Sequence, residues 1–181
     1  SLIGALVTPG VTCIGIGVPS VVDAVRGIVY NVAGIPSWRE VHLKERFEKR
    51  FGLPVHVNND CNCFALGVCR FGEAHDCRNV ACIALGTGVG ACERAAAGDP
   101  EALALWNEFG GHVGRLVMLT LYAYDPEAIV FGGSISHAFG FFRAAMLESL
   151  REFPYARTVE RLRIYRSEIE HVGLLGASAC E

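Results

Sequence analysis

Phe51-Gly-Leu-Pro-Val-His-Val-Asn-Asn-Asp60-Cys-Asn-Cys-Phe-Ala-Leu-Gly67 is the stretch on which the reading of this chain turns. Pro54 to Val57 is short and carries two β-branched residues, which predicts a strand. Asn58, Asn59 and Asp60 follow at once, and their side-chain oxygens are the ones that cap a helix N-terminus. Asn62 to Phe71 then has helical spacing. A strand passing directly into a helix is the unit from which parallel sheets are assembled.

The same alternation continues on both sides. Upstream, Val11 to Val18 mixes β-branched residues with Gly and Cys and stops at Pro19, which predicts a buried strand; Gly27 to Tyr30 predicts a second. Leu43 to Phe51 has helical spacing and ends at Gly52. Downstream, Asn79 to Leu85 is an apolar strand that runs into Gly86-Thr87-Gly88-Val89-Gly90. Asp99-Pro100 opens a long helix, Glu101 to about Tyr124, with Asp as cap and Pro in the first turn. Glu127 to Phe131 is a strand ending in Gly132-Gly133. A helix from Ser136 to Arg151, a strand from Leu162 to Tyr165 and an apolar helix from about Val172 complete the order. The expected class is α/β with a largely parallel sheet. Ala91 to Gly98 is the weakest segment, a strand-like run passing abruptly into Glu93-Arg94-Ala95-Ala96-Ala97.

The 181 residues are 51% apolar, enough to bury a core as one domain or two small lobes. With 19% charged residues and a net charge of −3, sequence-independent binding to nucleic acid or membrane through bulk charge is excluded. Lys44, Arg46, Lys49 and Arg50 gather on one segment and read as the solvated face of a helix. The opening Ser1-Leu-Ile-Gly-Ala-Leu-Val lacks the basic start of a signal peptide, and no apolar run has membrane-spanning length, so a cytoplasmic location without membrane partners is expected. The eight cysteines include no Cys-x-x-Cys pair at metal-ligand spacing, and Val80-Ala-Cys82-Ile-Ala shows one inside an apolar run. Reduced thiols acting as small hydrophobes, and no metal site, are expected.

Three constellations can carry chemistry, and each also has a purely structural reading. In Gly86-Thr87-Gly88-Val89-Gly90 the glycines can bring successive backbone N–H groups to a phosphate, or make a tight turn. Gly132-Gly133 can let a nucleotide lie against bare backbone, or satisfy strand–helix geometry. Asn58-Asn59-Asp60 can cap a helix, or hold a carboxylate at a strand end to take a proton from a substrate hydroxyl. Glu108 and His112, four apart, read as a solvated pair on one helix face.

In order, these pieces resemble the ROK family of sugar kinases and repressors. Ile14-Gly-Ile-Gly-Val-Pro-Ser-Val-Val-Asp23 with Gly27-Ile-Val-Tyr-Asn31 and Trp38 is similar to the family's segment that opens the sugar site. The stretch from Phe51 to Gly67 resembles its strand-plus-Asn-Asp motif, and Leu85 to Gly90 its phosphate loop. Gly98-Asp-Pro, Asp125-Pro-Glu-Ala-Ile-Val-Phe-Gly-Gly133 and Gly173-Leu-Leu-Gly-Ala177 are similar to its nucleotide half. The resemblance implies an actin-like, ribonuclease H-like fold, incomplete in this chain. Residues 1–78 would belong to a sugar-binding lobe and 79–181 to a nucleotide-binding one. It implies ATP-dependent phosphorylation of a hexose or N-acetylhexosamine, with ATP and Mg²⁺ as cofactors and a homodimer as the assembly. Asp60 would be the general base, Asn59 and Asn31 sugar ligands; Gly86, Thr87, Gly88 and Gly90 would face the phosphates, Gly132 and Gly133 the adenosine.

Departures from the family pattern are equally specific. The Asp-x-Gly-Gly-Thr hairpin that opens relatives is absent, and Gly90-Ala91-Cys92 runs almost directly into Glu93, where relatives carry Gly-Glu-x-Gly-His and a cysteine-rich motif for structural zinc. Ala33-Gly34 stands where Pro-Asn is usual. The expectation is that the full protein carries both segments; an intact mass of 19.5 kDa would count against it. The alternative functions are a ROK-type transcriptional regulator that senses a sugar, the one case with a nucleic-acid partner, and an inactive scaffold.

Overall fold

The computed structural model describes residues 2–86 and 91–180. In chain order its first half holds α1 (Leu2–Leu6), β1 (Ile14–Val18), β2 (Val21–Asp23), β3 (Ile28–Tyr30), β4 (Glu40–His42), α2 (Leu43–Phe51), β5 (Val55–Asn59) and α3 (Asp60–Phe71). There follow β6 (Val80–Ala84), α4 (Ala91–Ala96), α5 (Pro100–Tyr124), β7 (Ala128–Gly132), α6 (Phe139–Ser149), α7 (Ala156–Arg161), β8 (Arg163–Arg166) and α8 (Val172–Ser178). The chain divides into two units, residues 1–75 with 169–181, and residues 76–168. The closing residues 169–181 thus belong with the first unit, whereas the sequence places them with the second half of the chain.

The first unit is built on the β1–β5 pair, which is parallel, with Ile14 opposite Val55 and Val18 opposite Asn59. Strand alternation puts Val55 and Val57 inward and leaves His56 and Asn58 half-buried. Beside them an antiparallel sheet of order β2-β3-β4 contributes Val29 and Val41 to the same apolar cluster, joined by Val18, Val32 and Leu43. β2 and β4 are three residues each, too short to announce themselves by alternation. Gly52 ends α2 in the left-handed region (φ 66°), donating its N–H to the Glu48 carbonyl at 2.8 Å.

Helix α8 lies against α3 at backbone contact. A Cβ on Gly176 would stand 1.6 Å from the Cys63 carbonyl oxygen and 2.8 Å from the Gly67 nitrogen. Bare Cα–H groups at Gly67 and Gly176 are what allow two helices to touch this closely. Gly176→Ala is expected to cost about 1–3 kcal/mol or more, because α8 must move off α3 to admit the methyl. Gly173→Ala on the same helix, where the Cβ meets open space, is the control and is expected to be neutral in the same urea unfolding series.

The second unit is a parallel sheet of order β6-β7-β8. Its central strand, Ala128–Gly132, is buried throughout, as a strand covered on both faces must be. α5 supplies Trp106, Val113, Val117 and Leu121 to the core, and α6 supplies Phe142 and Met146. Asp99 caps α5, accepting from Glu101 N–H at 2.9 Å, with Pro100 in the first turn as the sequence predicts. The segment expected as one helix from Ser136 to Arg151 is instead a 3₁₀ turn (Ser134–Ala138), α6 and a second 3₁₀ turn (Leu150–Glu152). Ala91–Ala96, strand-like at its start, is helical because its alanines favour helix and Ala95 packs into the core.

Asp76 accepts a hydrogen bond from Arg163 Nη1 at 2.8 Å, tying the start of this unit to β8. That hydrogen bond, reinforced by the guanidinium charge, holds the Asp76 carboxyl below its ordinary range. A carboxyl with a lowered folded pKa stabilises above its unfolded value of about 3.9 and loses that contribution as pH falls through the folded value. Asp76→Asn is therefore expected to lower the urea midpoint between pH 5 and 8, and to match the parent protein once pH drops well below 4. A gap that persists at the lowest pH would assign the effect to something other than this charge. Among the described residues no helix is long and apolar enough to cross a membrane.

Candidate active site

In the first unit, β5 ends at Asn59 and α3 begins at Asp60 without a connecting loop. Asn59 is the cap of α3: its backbone is extended (φ −65°, ψ 144°), and its Oδ1 accepts from Cys61 N–H at 2.9 Å and Asn62 N–H at 3.4 Å. Its Nδ2 donates to the Ser20 carbonyl at 3.0 Å. Asn58 closes the turn, its Oδ1 accepting from Asn59 N–H and from Asn62 Nδ2, both at 2.9 Å. The capping role is therefore taken by Asn59, which leaves the Asp60 carboxylate exposed in the first turn of α3. Asp60 Oδ1 accepts from Cys61 N–H at 2.9 Å, and among the described residues the carboxylate makes no ion pair.

Asn31 lies at the end of β3 in the left-handed region (φ 49°), its N–H bonded to the Arg39 carbonyl at 3.0 Å. Its side chain is exposed. A short chain of bonds connects its neighbourhood to Asn59: the Ser20 hydroxyl donates to the Tyr30 carbonyl, and the Ser20 carbonyl accepts from Asn59. Ser20 went unnoticed in the sequence, where a serine after proline marks only a turn.

In the second unit the strand ends carry the glycines. Leu85 N–H bonds to the Gly132 carbonyl at 2.8 Å, and Ile135 N–H to the Leu85 carbonyl at 3.2 Å. Gly133 has φ 83°, and a Cβ there would fall 2.2 Å from the Leu85 carbonyl oxygen, so this junction admits only glycine. A Cβ position on Gly86 meets nothing within 4 Å, and its carbonyl accepts from the Ser134 hydroxyl. The structure thus brings Gly86, Gly132 and Gly133 together at the carboxyl ends of β6 and β7. Thr87, Gly88 and Gly90 lie outside the described residues. At the end of β8, Arg166 donates to Glu168 at 2.9 Å and shares a 3.3 Å contact with His137 Nδ1.

Cys63 and Cys180 are buried and lie together, whereas Cys77 accepts a hydrogen bond from Arg163 at 2.6 Å and Cys61 is exposed. Burial, then the neighbouring Cys180, pushes the Cys63 thiol up to about 12, and the two sulfurs are 3.9 Å apart. Cys61 is also raised, by partial burial first and then by the charge of Asp60. Protonated thiols are poor ligands and poor nucleophiles. Among the described residues no three His, Cys, Asp or Glu side chains converge as a metal site. Glu108 and His112 are an exposed pair at 3.7 Å on α5.

Parallel strands running into helices and glycine turns at their carboxyl ends define the class as an α/β protein of the actin-like ATPase fold. A ROK family glucokinase from Streptomyces griseus, solved with glucose and AMPPNP, shares that fold: the TM-score is 0.79 over 93% of this chain and 81% of that one, at 22% identity. The chain belongs to the ROK family, whose model matches residues 7–92 and 91–180. It is 46% identical to a glucokinase of Streptomyces coelicolor over 87 residues, which are 48% of this chain and 27% of that protein. Over 82 residues it is 34% identical to the xylose repressor of Caldicellulosiruptor bescii, covering 45% of this chain and 20% of that protein. The chain's match spans about a quarter of the length of these curated relatives.

Proposed function

We propose that the protein is an ATP-dependent kinase of a hexose or N-acetylhexosamine, with Asp60 as its general base. The observation that carries this reading is the state of Asp60, an exposed carboxylate where β5 passes into α3, without an ion pair among the described residues and beside a neighbour that does the capping. A base must be held still without being neutralised, and Asn59 supplies the first condition without spoiling the second. The resemblance to glucokinases of known name supports the same assignment.

In the proposed reaction Asp60 takes the proton of a sugar hydroxyl while that oxygen bonds to the γ-phosphorus of ATP, and the bond to the leaving ADP breaks. Asn31 and Asn59 would contact the sugar; Asn59 has one amide hydrogen left over from its structural bonds for a hydroxyl. Backbone at Gly86 would face the phosphates, with Thr87, Gly88 and Gly90, and Gly132 with Gly133 would line the adenosine. Magnesium would arrive with the nucleotide, held by phosphate and water oxygens, and supplies charge neutralisation.

A coupled ADP-release assay on the full-length protein with a panel of hexoses tests the reading, the expected result being turnover with at least one of them. The 34% identity to a xylose repressor favours a second reading, a sugar-sensing regulator without phosphoryl transfer. Saturable sugar binding by calorimetry, with no ADP released in the presence of ATP and Mg²⁺, would select it over the kinase.

A further inference from the structure

Helix α2 places Leu43, Arg46, Phe47 and Arg50 on one face, at the spacing of successive helical turns. Leu43 is buried, Phe47 is half-buried and stacks on Phe51 at 5.7 Å, and the two arginines are exposed. Between this face and Trp38 and Val41 lies a hollow of about 250 Å³. Its walls are Trp38, Val41, Leu43 and Phe47, and the charged groups among its lining residues are the guanidiniums of Arg46 and Arg50.

The charge around this hollow is unbalanced. Arg46 and Arg50 stand one turn apart, where like charges repel, and neither forms an ion pair among the described residues. Arg50 lies over the Phe51 ring, 5.4 Å from its centre. The acids nearby in sequence are engaged elsewhere: Glu40 and Glu45 pair with His42, and Glu48 accepts from Val55 N–H at 3.2 Å. An anion bridging the two guanidiniums would relieve the repulsion, and a carboxylate matches their planar fork.

We propose that this hollow binds a small organic carboxylate, its ring or chain seated between Trp38 and Phe47 and its carboxylate bridging Arg46 and Arg50. The volume holds a single ring with a short acid tail, and apolar walls with a few placed polar groups are the usual make-up of a ligand site. The site uses α2 and the segment before it, so it does not depend on the kinase reading.

The probe is 3-phenylpropionate, followed by tryptophan emission and by calorimetry. Trp38 is one of two tryptophans, and the other, Trp106, is only 2% exposed and packed in the core of the second unit, so a change in emission reports Trp38. Saturable binding is expected, at least tenfold tighter than for neutral 3-phenylpropanol or for acetate. The double variant Arg46→Gln, Arg50→Gln keeps most of the aliphatic stems and is expected to weaken binding at least tenfold with its thermal unfolding unchanged. Equal binding of the alcohol, undiminished binding by the double variant, or no saturation by about 10 mM would each overturn the proposal.

Discussion

Asp60→Asn is expected to lower sugar-phosphorylating turnover by about 10²–10⁴-fold, the usual contribution of a positioned general base. The exchange is nearly isosteric and removes the basic oxygen without removing volume. The helix should survive it, because Asn59 is the cap of α3 and the amide oxygen that replaces the Asp60 carboxylate can still accept from Cys61 N–H. What the helix loses is a favourable negative charge in its first turn, worth about 0.3–1 kcal/mol. Steady-state ADP release with the preferred hexose, beside a circular dichroism melt of the same variant, separates the two effects. Turnover within a factor of two of the parent protein would remove Asp60 from the chemistry.

Phe142→Ala is expected to destabilise the protein by about 3–5 kcal/mol. Phe142 is fully buried on α6 and sits at the centre of an aromatic cluster. Its ring is edge-to-face with Phe109 at 5.2 Å, Phe139 at 5.3 Å and Phe131 at 6.3 Å, and stacked with Trp106 at 6.1 Å. Truncation removes apolar area, forfeits these ring contacts and leaves a void between α5, α6 and β7. Trp106 lies against that void, so its fluorescence, in a Trp38→Phe background that removes the other tryptophan, gives the urea midpoint of this unit. A loss under about 1 kcal/mol would show that the cluster collapses around the gap, and would place the stability of this unit elsewhere.

Much of the candidate site was legible in order along the chain. Asn58-Asn59-Asp60 after a strand announced both a cap and a carboxylate, and the structure assigns the capping bonds to Asn59. Gly132-Gly133 announced a turn; what no sequence feature shows is that Gly133 is forced by the Leu85 carbonyl at the end of a different strand. Ser20 and Ser134 were missed for the same reason, since their partners, Tyr30 with Asn59 and Gly86, are distant in sequence. Arg46 and Arg50 read as an ordinary solvated face because the hollow beside them needs Trp38 and Val41 from another segment.

By itself the amino-acid sequence determined the features whose physics is local. These include the α2 boundary at Gly52, the Asp99-Pro100 start of α5, the strand-to-helix succession and the family motifs strung along it. Tertiary structure decided the rest: the antiparallel pairing of β2 and β4 with β3 between them, the division of the helix expected from Ser136 to Arg151 into α6 and two flanking 3₁₀ turns, and the return of α8 onto α3 through Gly176. Caps and periodicity act over one or two turns and are written in adjacent residues. Close approach of backbones and the partners of buried polar groups depend on which segments meet, and that is settled only when the whole unit packs.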